Sequence, residues 1–315
     1  MNTIKKSNFG FLKVAAASPK LRVADIDYNT GEIIKQLKKA ASGGARLVVF
    51  PELSITGYTA ADLFHQRAFL EAVAPALVKI AAASRNLNSV AIVGAPDPSD
   101  GKIYNAAIVI FGGKILGIIP KTYIPGYKEF YEERWFASAR DLVYKEVEIG
   151  GKKVPIGADL LFKFPKIPGF VLGIEICEDL WTPLPPSAFQ SIGGATIIAN
   201  LSASNDLVGK ADYRRSLVAQ QSARLISGYI YSSCGVYEST TDVVFGGHLL
   251  IAENGGVLNE SQRFSRNSEI IFSEIDLEHL AIDRERTTSF GESVHEGGKK
   301  EFRFIDVPMS LLPLS

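Results

Sequence analysis

Residues 170–181 read Phe-Val-Leu-Gly-Ile-Glu-Ile-Cys-Glu-Asp-Leu-Trp, a mostly apolar run that stops at Cys177 and turns polar at once. A short run of this kind reads as a strand covered on both faces. Two other stretches have the same shape. Leu47–Phe50 is wholly apolar and leads through Pro51 into Glu52, and Ile118-Ile119-Pro120 leads into Lys121. Three chemically capable side chains therefore stand just past the ends of strands, where α/β sheets collect their reactive groups. Singly, each has an ordinary reading: a surface glutamate, a solvated lysine, a small buried hydrophobe. The coincidence of all three carries the argument.

Working outward, the pattern predicts strands at 11–17, 47–50, 90–94, 106–111, 114–119, 170–176, 196–200, 229–234 and 269–276. Helices are expected at 29–43, at 60–86 with a break or new start at Pro75, and at 210–227. In the first of these, Asn29 with Glu32 resembles a capping box and Gly43-Gly44 is the stop. Hairpins are expected at Gly112-Gly113 and at Asn254-Gly255-Gly256. Residues 121–150 read as mostly irregular, and 291–315 as a C-terminal tail or the start of a linker. Strands alternating with helices, with hairpins between them, make an α/β protein with mixed sheets and helices outside. Pattern alone leaves two architectures open, a four-layer α-β-β-α sandwich and a single doubly wound sheet.

The 34 basic residues balance the 34 acidic ones, so no net field draws nucleic acid or membrane. Two cysteines cannot build a disulfide framework and suit a reducing compartment, so a cytoplasmic protein is expected. The N-terminal stretch makes a poor signal peptide because a lysine interrupts its apolar run. The four histidines are scattered without metal-ligand spacing, and no glycine-rich segment fits a phosphate loop.

The three strings VVFPELSITGY around Glu52, IIPKTYIPGYKEFYE around Lys121 and GIEICEDLW around Cys177 resemble the nitrilase superfamily. The last two are similar to the glutaminase domains of glutamine-dependent NAD synthetases, and the resemblance runs from about residue 11 to about 290. It implies the four-layer sandwich, as one domain over 1–290. It also implies a glutamine amidohydrolase with Cys177 as nucleophile, Glu52 as general base, and Lys121 with the backbone N–H of Glu178 as oxyanion partners. A second glutamate is expected to hold the lysine; Glu129 fits best, with Glu132 and Glu133 competing and one of these two as the alternative holder of the substrate's α-amino group. Tyr127 and Ser204 are expected to bind substrate, with Tyr58 and Phe130 lining the pocket. Lys210 stands where the family commonly has an arginine, and it can pair with a carboxylate but not as a bidentate fork.

The same resemblance implies a synthetase domain that accepts the ammonia and binds ATP and the deamidated dinucleotide. No pyrophosphate loop occurs here; Ala41–Arg46 reads as a helix end. The chain is expected to be a truncated form or a separate subunit, with no cofactor or metal of its own, and to form homo-oligomers. Two other readings remain: a free-standing amidase or carbamoylase, and a catalytically idle assembly domain. Intact Glu52, Lys121 and Cys177 argue against the second.

Overall fold

In the computed structural model, which describes residues 10–296 and 300–311, the short apolar runs become the inner strands of two stacked sheets. Five strands open the chain: β1 (Phe11–Ser18), β2 (Leu47–Val49), β3 (Val90–Ser99), β4 (Lys102–Phe111) and β5 (Lys114–Pro120). A small hairpin, β6 (Glu146–Ile149) with β7 (Lys152–Pro155), precedes β8 (Leu160–Lys163), β9 (Val171–Ile176), β10 (Ile197–Ser202), β11 (Gly228–Ser233), β12 (Leu249–Glu253) and β13 (Gly256–Glu260). The last two strands are β14 (Glu269–Asp276) and β15 (Arg303–Asp306). The first sheet has the order β14-β1-β2-β3-β4-β5 and the second β13-β12-β11-β10-β9-β8-β15. β1, β2 and β3 run parallel, as do β9, β10 and β11, with antiparallel hairpins beside them, so both sheets are mixed.

The faces follow from side-chain alternation. Val14 and Ala16 of β1 and Val49 of β2 point into a core shared with Leu172, Ile174 and Ile176 of β9 and Ile230 of β11, which glues sheet to sheet. Their neighbours Ala15 and Val48 point the other way, onto Ile33 and Leu37 of α1 (Ile26–Ser42) and Leu77 and Ile80 of a helix that follows the short α2 (Arg67–Glu71), namely α3 (Val73–Ala83). After α4 (Pro186–Ile192) comes α5 (Lys210–Arg224), whose Val218 packs on Ile198, Tyr229 and Leu250 behind the second sheet. This is the four-layer α-β-β-α sandwich. Among the described residues no helix is long and apolar enough to cross a membrane.

Several local expectations change. α1 starts earlier than position 29: Asp25 caps it by accepting from Tyr28 N at 3.0 Å. Asn29 is no cap but a buried bracket, with its side chain bonded to the Arg22 backbone and to Ile55 O. The breaks before α3 fall at Gln66 and Ala72, and Pro75 sits in the first helical turn, where its missing N–H has no helical partner to lose. Residues 146–149, inside the stretch expected to be mostly irregular, form β6 and pair with β7 in a hairpin. The 291–315 segment is more than a tail. α6 (Leu277–Arg286) and α7 (Thr288–Glu296) lead to β15, which pairs parallel to β8, and Val307 and Met309 are buried. Arg303 pins this strand through Asp159, at 2.7 Å to each carboxylate oxygen. Residues 297–299 and 312–315 of that segment lie outside the described residues.

One glycine sets the height of the loop that carries Glu52. At Gly94 of β3, a Cβ would run into Leu53 N, Pro51 O and the Glu52 carbonyl carbon, all of them backbone. Only a residue without a side chain lets that loop lie on the sheet. Gly94→Ala is expected to destabilise the protein by about 1–3 kcal/mol, as overpacking of a closed core does. Thermal unfolding checks this; an unchanged midpoint would show that the loop has room to move.

Candidate active site

The ends of β2, β5 and β9 converge. Glu52 follows β2, Lys121 follows β5, and Cys177 follows β9 at the start of a single 3-10 turn, Cys177–Trp181. Glu52 and Lys121 are fully buried, and Cys177 is 6 % exposed. The lysine ammonium lies 2.6 Å from Glu52 Oε1 and 2.7 and 2.8 Å from the two oxygens of Glu132. Glu132 is buried too, carried inward by the 3-10 turn Glu132–Arg134.

Two neutral side chains complete the cluster. Asn105, in the middle of β4, donates through Nδ2 to Glu52 Oε1 at 2.6 Å and to Glu132 Oε2 at 3.2 Å. Tyr58 donates its hydroxyl to Glu132 Oε1 at 2.9 Å. The Tyr58 loop is itself gripped from the second sheet's side. Buried Glu238 accepts from Tyr58 N at 2.8 Å, Thr59 N at 3.1 Å and Thr59 Oγ1 at 2.9 Å.

These contacts leave Glu52 asymmetric. Its Oε1 takes bonds from Lys121 and Asn105, while its Oε2 is buried with no hydrogen-bond partner. A carboxylate held by one oxygen presents the other to a reacting proton. Burial pushes the Glu52 carboxyl up to about 7, against the pull of Lys121. Burial alone would strip the proton from Lys121, but Glu132 and Glu52 outweigh it and hold the ammonium well above its ordinary value. The Cys177 thiol is driven strongly upward by burial and by Glu52, with Lys121 pulling the other way. Any nucleophilic use of Cys177 would therefore call for a base to take the thiol proton.

Cys177 itself sits at φ +45°, in the left-handed region that a side chain disfavours. Such strain at a strand-to-helix turn lifts the side chain out of the sheet plane, toward an open pocket. That pocket, of about 500 Å³, is lined among others by Tyr127, Glu129, Phe130, Glu178, Ser204 and Lys210. Tyr127 donates its hydroxyl to Glu178 Oε1 at 2.7 Å. Lys210, the first residue of α5, lies with Nζ 5.3 Å from the Trp181 ring centre and 5.6 Å from that of Phe130, and it donates to Asn205 Oδ1.

Most of the expected residues are brought together here, but their duties are redistributed. Glu129 does not hold the lysine. It stands at the pocket and accepts from Asn205 Nδ2 at 2.6 Å, while Glu132 takes the lysine and Glu133 is exposed. Glu132 sits with the lysine and not on the pocket wall, and Tyr58, expected on that wall, bonds to Glu132 behind it. Ser204 is almost fully buried, and its Oγ accepts from Arg214 Nη2 at 3.1 Å. Sequence reasoning missed Arg214, one turn after Lys210 on the same helix, fully buried and bonded also to Asn205 O at 2.9 Å. The spacing of four was the available signal. Asn105 was missed as well, since the strand was expected to begin at 106 and left it outside, whereas β4 begins at Lys102.

Comparison with known proteins agrees with this fold. A family model described as carbon-nitrogen hydrolase matches residues 13–284. The glutamine-dependent NAD(+) synthetase of Mycobacterium tuberculosis (strain ATCC 25618 / H37Rv) is 40% identical over 308 residues, which is 97% of this chain and 45% of that protein. Among solved structures, a glutamine-dependent NAD(+) synthetase from Cytophaga hutchinsonii matches with TM-score 0.75 and 26% identity, over 84% of this chain and 43% of the other. A carbon-nitrogen hydrolase from Helicobacter pylori G27 matches with TM-score 0.70 and 18% identity, over 93% of this chain and all (100%) of the other, a likeness of fold. The chain thus spans less than half the length of the NAD synthetases it resembles. It belongs to the carbon-nitrogen hydrolase family.

Two outcomes follow from the cluster. A hydrolase that used Glu52 as its base would need it ionised, so kcat/KM is expected to rise with pH through about 7 and to fall as Glu52 is protonated below it. A profile flat from acid to neutral pH would remove Glu52 from the base role. Asn105→Leu strips a donor from both carboxylates, and a turnover loss of at least about 10- to 100-fold is expected, since a single lost hydrogen bond to a charged group already costs about 1.5–3 kcal/mol. Steady-state kinetics beside a thermal melt separates this loss from unfolding.

Proposed function

We propose that this domain hydrolyses the side-chain amide of L-glutamine through a Cys177 thioester and supplies the ammonia to an NAD-forming synthetase domain. The observation that carries the reading is the charge pattern of the pocket over Cys177. The carboxylates of Glu129 and Glu178 and the ammonium of Lys210 line one cavity of about 500 Å³. That set complements the α-ammonium and α-carboxylate of an amino acid, while Cys177 is left for the far-end amide. Simple aliphatic amides and nitriles would leave all three charges unanswered. The names of the relatives in M. tuberculosis and C. hutchinsonii point the same way.

The chemistry runs as follows. Glu52 Oε2 takes the thiol proton as sulfur bonds to the amide carbon. Lys121 and the backbone N–H of Glu178 stabilise the oxyanion, a single such donor being worth about 3–4 kcal/mol. The C–N bond then breaks, and nitrogen leaves as ammonia with the proton held by Glu52. Water next gives a proton to Glu52 and adds to the thioester; the C–S bond breaks, glutamate leaves and the thiol is restored. ATP and the deamidated dinucleotide would be bound by the synthetase domain. Both cysteines are free, in keeping with a reducing compartment such as the cytoplasm.

Glutamate release from glutamine by the wild-type chain, lost in Cys177→Ala, tests the reading directly. A glutamine-analogue diazoketone should label Cys177 stoichiometrically, whereas an idle assembly domain would stay unlabelled. Turnover of short amides or N-carbamoyl amino acids in preference to glutamine would favour a free-standing amidase instead. Lys210→Ala is expected to raise KM for glutamine about 10-fold or more with a smaller change in kcat, the signature of lost ground-state binding.

A further inference from the structure

We propose that Asp179 is a positioning residue that fixes the nucleophile relative to the lysine across the two sheets. The inference rests on the reading of Cys177 as nucleophile and is independent of which amide is cleaved.

Asp179 lies two residues after Cys177 on the same 3-10 turn and is 2 % exposed. Its two oxygens face different parts of the chain. Oδ2 accepts from Ile176 N at 2.9 Å, the residue immediately before the nucleophile. Oδ1 accepts from Thr122 N at 3.2 Å and Tyr123 N at 2.8 Å, the two residues immediately after Lys121. β9, which delivers Cys177, belongs to the second sheet, and β5, which delivers Lys121, belongs to the first. One carboxylate therefore bridges the backbones that carry the two reacting groups.

Simple capping does not account for this. A side chain that only closed the 3-10 turn would need the Ile176 bond alone. The two bonds to Thr122 and Tyr123 add nothing to that turn, and they register the lysine segment against it. The residue type fits as well. All three partners are N–H donors, and only a carboxylate offers acceptors on both sides; an amide would turn an N–H₂ toward one of them. The strained φ of Cys177 gives the bridge its purpose. A left-handed non-glycine residue persists only where its surroundings over-determine it, and Asp179 holds the peptide just before it while its own backbone follows just after.

The test is Asp179→Asn, which keeps the volume and removes one acceptor. Turnover should fall about 100-fold, as for a misplacement on the ångström scale, with KM changed by less than about threefold. The decisive readout is the pH dependence of Cys177 alkylation by iodoacetamide, followed on the Cys177 peptide by mass spectrometry. Loss of register from Lys121 moves the midpoint upward. Loss of a negative charge alone would move it downward, so an unchanged or lowered midpoint overturns the proposal. Should the variant not fold, amide hydrogen exchange of the wild type decides: Tyr123 and Ile176 should be protected together, and exchange of Tyr123 at the rate of an open loop overturns it. If the wild-type chain releases no glutamate from glutamine, the glutaminase reading fails, while alkylation and exchange still judge Asp179.

Discussion

A lysine ammonium buried between two carboxylates is the constraint on which the site depends. Lys121 cannot be solvated where it lies, and an isolated charge there would be lost to deprotonation. Glu52 and Glu132 keep it charged, and each comes from a different segment: the end of β2, and a turn in the long loop after β5. Breaking one partner of such a buried cluster leaves an uncompensated charge, which is far costlier than the net worth of the pair. The remaining polar residues answer to this arrangement. Asn105 donates to both carboxylates, Tyr58 supplies a donor to Glu132, and Glu238 anchors the Tyr58 backbone from the opposite half of the molecule. Glu52 emerges with one oxygen committed and one free, which divides its work between structure and chemistry.

How much of this is legible in the sequence depends on whether a residue stands in a periodic context. Glu52, Lys121 and Cys177 were readable because each ends a short apolar run, and strand ends place residues predictably. The strings around them add the family. The loop between Tyr123 and Trp135 has no period, so three neighbouring glutamates, Glu129, Glu132 and Glu133, could not be ranked by pattern. A turn of 3-10 helix sends Glu132 inward and leaves Glu129 at the pocket. Asn105 was hidden by a boundary. The apolar run starts at 106, so the strand was expected there, whereas β4 begins at Lys102 and buries Tyr104 and Asn105 as well. The strand at 303–306 escaped because it is short and lies at a sheet edge, where pairing with β8 and the Arg303–Asp159 fork outweigh weak local preference.

The charged pocket and the buried charge cluster behind it are two distinct environments. Glu129, Glu178 and Lys210 sit where solvent can reach and where a zwitterion would exchange hydration for ion pairs. Lys121, Glu132 and Asn105 lie behind, in the dry region where electrostatic stabilisation is strongest. Ser204 marks the boundary, with Arg214 locking its hydroxyl from below. A ligand's polar end can thus be read at the mouth without disturbing the proton inventory at the base.

The upward-driven thiol of Cys177 has a consequence for the life of the chain before it is folded. The side chain that would become a nucleophile is delivered by one sheet, while its base and its cation are delivered by the other. Until the sheets dock, Cys177 is an ordinary thiol without a proton acceptor, and once they dock burial holds it protonated beside Glu52. Deprotonation of this sulfur by Glu52 thus needs both sheets in place. A nascent or partly unfolded copy carries no activated sulfur that could acylate, oxidise or cross-link at random. The same division that complicates the folding of the site also keeps its chemistry silent until assembly is complete.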